Sequence, residues 1–186
     1  MTHAKSIFVL TLPTVCACKN KEELMRQVTE VNKSLADFYR SLPDDMLMAE
    51  AFPDGWSVKR NMKHVISTNS NFAKWFNLPN FILKLFPKPK PNQPDPKDLI
   101  VTNRKGLTNY GKYTKGARPH PEMKEKLLNS IIESAEILNK AIAARSEEEL
   151  DTLPAPFGKM NLRCFAYFLL KHNIHHTNVV RIRLES

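Results

Sequence analysis

The sequence predicts an all-α protein, a four-helix bundle with a long Lys/Pro-rich loop between helices two and three. Apolar residues recur in alternating steps of three and four through four segments, which is the spacing of one helix face. Proline residues separate the segments, and no segment alternates apolar and polar residues as a half-buried strand does. With 186 residues, 42% of them hydrophobic, the chain is long enough to bury one core.

Flanking residues delimit the first two predicted helices. The first spans residues 21–42 and ends before Pro43, which cannot continue it. The second begins near Trp56, with Ser57 or Asp54 as its N-cap, and closes at the next proline. Their apolar faces are Leu24, Val28, Val31, Leu35, Phe38 and Leu42 in the first helix and Val58, Met62, Val65, Asn69, Phe72 and Phe76 in the second.

The third and fourth predicted helices follow a long connection. Pro121 and Glu122 open the third, and after a turn over residues 153–158 the fourth runs from Asn161 to about Leu184. The apolar face of the third helix is Met123, Leu127, Ile131, Leu138 and Ile142, with Ala135 among them. A long second connection could let helices two and three run parallel, and the sequence leaves this topology open.

Most of the excess positive charge lies in the connection between helices two and three. From Lys84 to Arg118 there are nine basic and two acidic residues, a net charge of +7 in a chain of net charge +9. The same region is rich in proline, which excludes a continuous helix. The loop is either a solvated surface segment or a lid that helps to bind an anionic substrate. Because no nucleic-acid motif surrounds it, we expect no specific nucleic-acid partner.

The N-terminal residues 1–19 are predicted to form an arm outside the bundle domain, which spans residues 20–186. The stretch Ile7 to Ala17 is almost wholly apolar, so it fits either an extended arm packed on the domain or the core of an export signal. Three cysteines, an odd number, favour a reducing cytoplasm. No stretch reaches the roughly 20 apolar residues of a membrane span.

Two histidines occupy the apolar stripe of the fourth helix. At about 100° per residue, His172 and His176 fall on the line of Phe165, Leu169 and Val179. A buried imidazole needs partners for both ring nitrogens, and the i, i+4 spacing lets two imidazoles point at one ion. The pair therefore indicates either a metal site or two satisfied core histidines.

A third histidine would complete a metal site, but helical spacing alone does not supply it. His64 lies about 120° from the centre of the second helix's apolar stripe, a position typical of a solvated side chain. His175 is turned about 80° off its stripe, which suits a residue that supports a metal ligand or one at the mouth of the site. His120 lies in the loop and His3 in the N-terminal arm.

Two separated motifs resemble the DinB-like superfamily. They are Gly55-Trp56-Ser57 followed by His64, and the stretch from Pro156 to Arg163 (PFGKMNLR) leading into His172-x-x-His175-His176. The similarity covers about residues 24 to 183. It implies a four-helix bundle, often a homodimer, with a divalent metal ion on His64, His172 and His176. Three neutral imidazoles without a thiolate suit Zn²⁺ or Ni²⁺.

The resemblance also implies a class of reaction. Some members are similar to metal-dependent S-transferases that join a low-molecular-weight thiol, such as bacillithiol, mycothiol or glutathione, to an electrophile. The chain departs from the family pattern at Val179, where relatives often have Gln, and in its long loop. The expected partners are thus a small thiol and an electrophile. The alternative is a metal-binding bundle without catalytic activity.

Overall fold

The structure, a computed structural model, describes residues 11–50, 56–101 and 119–185. These residues form α1 (Lys21–Ser41), α2 (Val58–Phe76), α3 (Asn80–Leu83), α4 (Met123–Ala143), α5 (Glu147–Thr152) and α6 (Leu162–Glu185). No β-strand occurs in the described ranges, so the all-α prediction is confirmed. The four long helices α1, α2, α4 and α6 begin within two residues of their predicted starts, and α1 and α6 end within one residue of their predicted ends.

The caps explain these limits. Asn20 accepts a hydrogen bond from the backbone N–H of Glu23 at the start of α1, and Ser57 accepts one from Arg60 at the start of α2. Asp54, the other cap considered for α2, lies outside the described residues. Two short helices were not predicted. One is α5, whose N-terminus is a capping box between Ser146 and Glu149; the other is the single turn α3.

Helices α2 and α4 lie side by side and run parallel. Asn69 in the middle of α2 bonds Ser134 in the middle of α4, and Arg145, just beyond α4, bonds the carbonyl of Phe76 at the end of α2. Two consecutive long helices can be parallel only if the connection between them returns along the bundle. That connection is the segment 77–122, of which residues 102–118 lie outside the described ranges.

Helix α1 packs against α4 in the opposite direction, because Asn139 near the end of α4 donates to the carbonyl of Met25 near the start of α1. Helix α6 packs against both α1 and α2, antiparallel to α2. The order of directions along the chain is therefore up, down, down, up. The helices close on a core of fully buried side chains that includes Leu35, Phe38 and Phe165.

One layer of the core is polar. Each long helix contributes one buried residue to it: Asn32 from α1, Asn69 from α2, Ser134 from α4 and Asn173 from α6. The Asn69 amide donates to Asn32 Oδ1 at 2.8 Å and to Ser134 Oγ at 3.0 Å, and the Asn173 amide donates to Asn69 Oδ1 at 2.8 Å. We call these four residues the polar layer. Only Asn69 was placed on a core-facing stripe by the sequence.

The described part of the N-terminal arm, residues 11–19, has no regular secondary structure and packs on the bundle. Val15 is buried, and the backbone N–H of Cys18 donates to the Tyr167 hydroxyl at 2.8 Å. The division of the chain at residues 19 and 20 stays a prediction. None of the helices in the described ranges is long and apolar enough to cross a membrane.

Candidate metal centre

The antiparallel packing of α2 and α6 brings three histidines together. His64 lies two turns into α2, opposite His172 and His176 near the middle of α6. One ring nitrogen of each lies within 4.8 Å of those of the other two. The Nε2 atoms of His64 and His172 are 3.0 Å apart, and the ring centroids of His64 and His176 are separated by 4.3 Å. Helical spacing favoured a solvated His64; the structure corrects this, because α6 covers the flank of α2 on which His64 lies.

The surroundings of His64 and His172 favour neutral imidazoles. Burial disfavours the imidazolium and lowers the pKa of His64 below its ordinary value, and the neighbouring His172 lowers it further. Burial also lowers the pKa of His172, although the Val101 carbonyl, 3.4 Å from Nδ1, acts in the opposite direction. Since only a neutral imidazole has a lone pair to donate, the environment keeps His64 and His172 in the form that binds metal.

Aromatic side chains enclose the histidine cluster on two sides. The Trp56 ring stacks on His176, with centroids 5.4 Å apart and planes at 15°, and meets the edge of His64 at 5.0 Å. Phe168 stacks in the same way on His172, at 5.9 Å and 13°. These contacts restrict ring rotation, so the nitrogens are oriented before any ligand binds.

The donor set fits a divalent transition metal. Three imidazole nitrogens within 4.8 Å of one another can approach one ion at the roughly 2.0–2.1 Å typical of zinc–nitrogen bonds after small side-chain rotations. No carboxylate or thiolate belongs to this cluster in the described part of the chain. The three histidines could therefore hold a metal ion and leave a position open for another ligand. Their assignment as ligands stays a prediction.

The remaining histidines lie apart from the three nitrogens. The ring of His175 is 5.5 Å from that of His176, and His175 lines a neighbouring cavity; its role beside the metal ligands stays a prediction. His120 is exposed in the loop before α4, and His3 lies outside the described residues.

Two cavities lie near the cluster and share Val101 as a lining residue. The first, of about 540 Å³, is lined by residues that include Lys90, Asp98, Val101, Phe157, Lys159 and Phe168, and we call it the phenylalanine pocket. The second, of about 440 Å³, lies beneath the N-terminal arm. Its lining includes Val15, Lys97, Val101, Lys171 and His175, and we call it the arm pocket. Each borders the cluster through a neighbour of His172 or His176.

Sequence reasoning missed the residues that surround the histidines. Trp56 was recognised only as a motif residue at the start of α2, although the motif signalled its importance. Phe168 is four residues before His172 on α6, and this i, i+4 spacing could have identified it as a stacking partner. Val101 carried no signal, because its contact with His172 depends on the path of the loop.

A helical bundle with three histidines gathered between two of its helices is the architecture of a metal-binding bundle protein. A family model described as the DinB superfamily matches residues 27–180. The chain belongs to this superfamily, as the sequence motifs predicted. No curated protein and no solved structure matches the chain significantly.

Proposed function

We propose that the protein is a metal-dependent S-transferase that joins a low-molecular-weight thiol to an electrophile. One observation supports this most strongly: two cavities adjoin a half-buried cluster of three imidazoles. A purely structural metal site is normally closed by four protein ligands and has no need of adjoining cavities. Two cavities suit a reaction that has two substrates.

His64, His172 and His176 would hold the metal, with Zn²⁺ or Ni²⁺ as the best candidates for three neutral nitrogen ligands. A divalent ion bound there would lower the pKa of a thiol at the open position, so that thiolate is available at neutral pH. Trp56 and Phe168 hold the imidazole rings in place, and together with the burial of the cluster they limit the access of water.

Basic residues of the loop would bind the carboxylates of the thiol. In the described part of the loop, Lys97 lines the arm pocket together with Lys171 of α6, whose ammonium group donates to the Lys97 carbonyl at 2.8 Å. This contact ties the loop to α6 beside the histidines. Five of the nine basic residues of the loop, from Arg104 to Arg118, lie outside the described residues.

The proposal is tested with the metal-loaded protein and a panel of thiols. Bacillithiol, mycothiol or glutathione is mixed with 1-chloro-2,4-dinitrobenzene; a carbon–sulfur bond forms, chloride leaves, and the thiol proton goes to solvent. We expect product to form faster than in the uncatalysed reaction with at least one thiol, and His172→Ala to abolish the difference. His120→Ala is the matched control and should retain activity. If metal-loaded protein accelerates no thiol–electrophile pair, the alternative of a non-catalytic metal-binding bundle is favoured.

The homodimer and the cytoplasmic location are predictions that accompany this proposal. They follow from the family resemblance and from the cysteine content respectively. Light scattering of the purified protein decides the first, and localisation of the full chain in its host decides the second.

A further inference from the structure

The phenylalanine pocket lies directly against the candidate metal centre. Phe168 forms part of its wall and stacks on His172, and the carbonyl of Val101, another wall residue, is 3.4 Å from Nδ1 of the same imidazole. A molecule in this pocket would thus be separated from the histidine cluster by one ring. Its volume of about 540 Å³ is within the range of about 300–1,000 Å³ that is usual for small-molecule sites.

An exposed aromatic ring forms the outer wall. The Phe157 side chain is 43% exposed, although its ring meets Phe168 edge-on at 5.5 Å and Phe165 at 4.9 Å. Edge-to-face rings with an uncovered side offer a surface on which a flat apolar group can pack. The arrangement therefore favours a ligand with an aromatic body.

A strained turn holds Phe157 in this position. Gly158 and Lys159 both have positive φ angles, of 79° and 51°. A positive φ is costly for a non-glycine residue such as Lys159 and persists only where the surroundings enforce it. Here the Ala155 N–H bonds the Met160 carbonyl at 2.8 Å, and the Lys90 N–H bonds the Lys159 carbonyl at 2.9 Å. The second bond also fixes the basic loop to the turn.

The charged groups of the pocket favour one negative charge on the ligand. Lys90 and Lys159 line it together with a single carboxylate, that of Asp98. Within the described ranges, the ammonium groups of Lys90 and Lys159 form no ion pair, and the carboxylate of Asp98 forms none either. One lysine can therefore be balanced by Asp98, which leaves one positive charge for a ligand.

We propose that the phenylalanine pocket binds the electrophilic substrate, and that this substrate is an aromatic compound with a single carboxylate. This inference rests on the proposed S-transferase function. It assigns the two cavities to different substrates: the phenylalanine pocket takes the electrophile, and the arm pocket, whose lining includes Lys97, Lys171 and His175, takes the thiol.

The test measures binding directly, with 2-naphthoate as the probe and uncharged 2-naphthamide as its isosteric comparison. Dissociation constants are obtained by NMR titration of the full chain, as purified and again after chelation. We expect saturable binding of both compounds, tighter for 2-naphthoate, and unchanged by chelation. Lys90→Gln should weaken 2-naphthoate binding by about two- to fivefold, the effect of an exposed charge pair, and leave 2-naphthamide unaffected.

Lys88→Gln is the matched control, since Lys88 is an exposed lysine of the same loop that does not line the pocket. Phe157→Leu should weaken the binding of both compounds. If neither compound binds, the proposed ligand site in the phenylalanine pocket is wrong. The same conclusion follows if chelation abolishes 2-naphthoate binding, because the carboxylate would then bind the metal itself. Equal affinity for the two probes, or equal effects of Lys90→Gln and Lys88→Gln, would overturn the proposed negative charge. Binding without any thiol transfer would instead refute the proposed function alone.

Discussion

At the scale of single residues, position along a helix predicted two of the three clustered histidines and not the third. His172 and His176 lie on an apolar stripe, where the i, i+4 spacing is itself a signal. His64 lies at the flank of its helix, and its burial depends on how α6 crosses α2. A helical projection of α2 contains no information about that crossing. His64 was identified as a candidate ligand only through the family resemblance.

Metal retention tests the three residues directly. We expect about one metal ion per chain in protein purified without chelator, and loss of nearly all of it in His172→Ala, because two imidazoles bind far more weakly than three. Elemental analysis of both proteins gives the answer. His120→Ala, with an exposed histidine, is the control; unchanged metal content in His172→Ala would exclude the proposed site.

The lowered pKa values of His64 and His172 predict how acid affects the metal-free protein. An unfolded histidine titrates near pH 6.5, whereas these two stay neutral to lower pH in the folded state. Below about pH 6.5 the unfolded chain therefore binds more protons, and the free energy of unfolding should fall between about pH 7 and 5 and be unaffected by these groups above that range.

Urea denaturation of chelated protein at several pH values measures this effect. The range above pH 5 avoids the carboxyls of Glu147 and Glu149, whose pKa values lie below the ordinary glutamate value. A variant with His64→Gln and His172→Gln should show a smaller fall. An equal fall in the variant would assign the acid sensitivity to other groups.

At the scale of elements, the sequence predicted the four long helices well because their signals are local. Apolar spacing, caps and prolines lie within each segment and need no knowledge of its neighbours. The short helices α3 and α5 have too few residues to show a period. The turn that presents Phe157 was recognised as a turn, but its two positive φ angles depend on contacts with the distant Lys90.

Arg145 joins several of these elements at one end of the bundle. Its side chain is buried and donates to the carbonyls of Phe76, the last residue of α2, and of Leu78, and to Asn80 in α3. Arg145→Ala should leave the buried carbonyl of Phe76 without a partner and remove the bonds to Leu78 and Asn80. It should lower the free energy of unfolding by about 2–3 kcal/mol.

Chemical denaturation measures this loss, with Arg26→Ala as the comparison. Arg26 pairs with Glu30 on the surface of α1, where both side chains are more than 60% exposed, so its removal should cost less than about 0.5 kcal/mol. If the two variants lose equal stability, Arg145 does not connect the elements as described.

At the scale of the whole molecule, the sequence predicted an all-α bundle but not its topology. The parallel arrangement of α2 and α4 follows from contacts such as Asn69 with Ser134, which join residues far apart in the chain. The extensive apolar core indicates that the bundle folds without metal.

Removal of the metal should therefore leave the helices intact and lower only the melting temperature. A chelated protein is expected to keep its circular dichroism signal at 222 nm, because the core does not depend on the ion. It should melt at a lower temperature than the loaded protein, since an ion that binds only the native state stabilises it by mass action. Loss of most of the helical signal on chelation would show instead that the metal organises the fold.

The polar layer has a consequence for how accurately the bundle is assembled. Apolar helix faces tolerate sliding by one turn, about 5.4 Å, because one leucine can replace another in a groove. The bond between Asn69 and Asn173 allows no such exchange, and Asn173 is the neighbour of His172. The hydrogen bond between the two buried amides thus fixes the axial position of α6 relative to α2. A bundle with leucine at both positions could gain stability, and its three histidines could still fail to come together at one site.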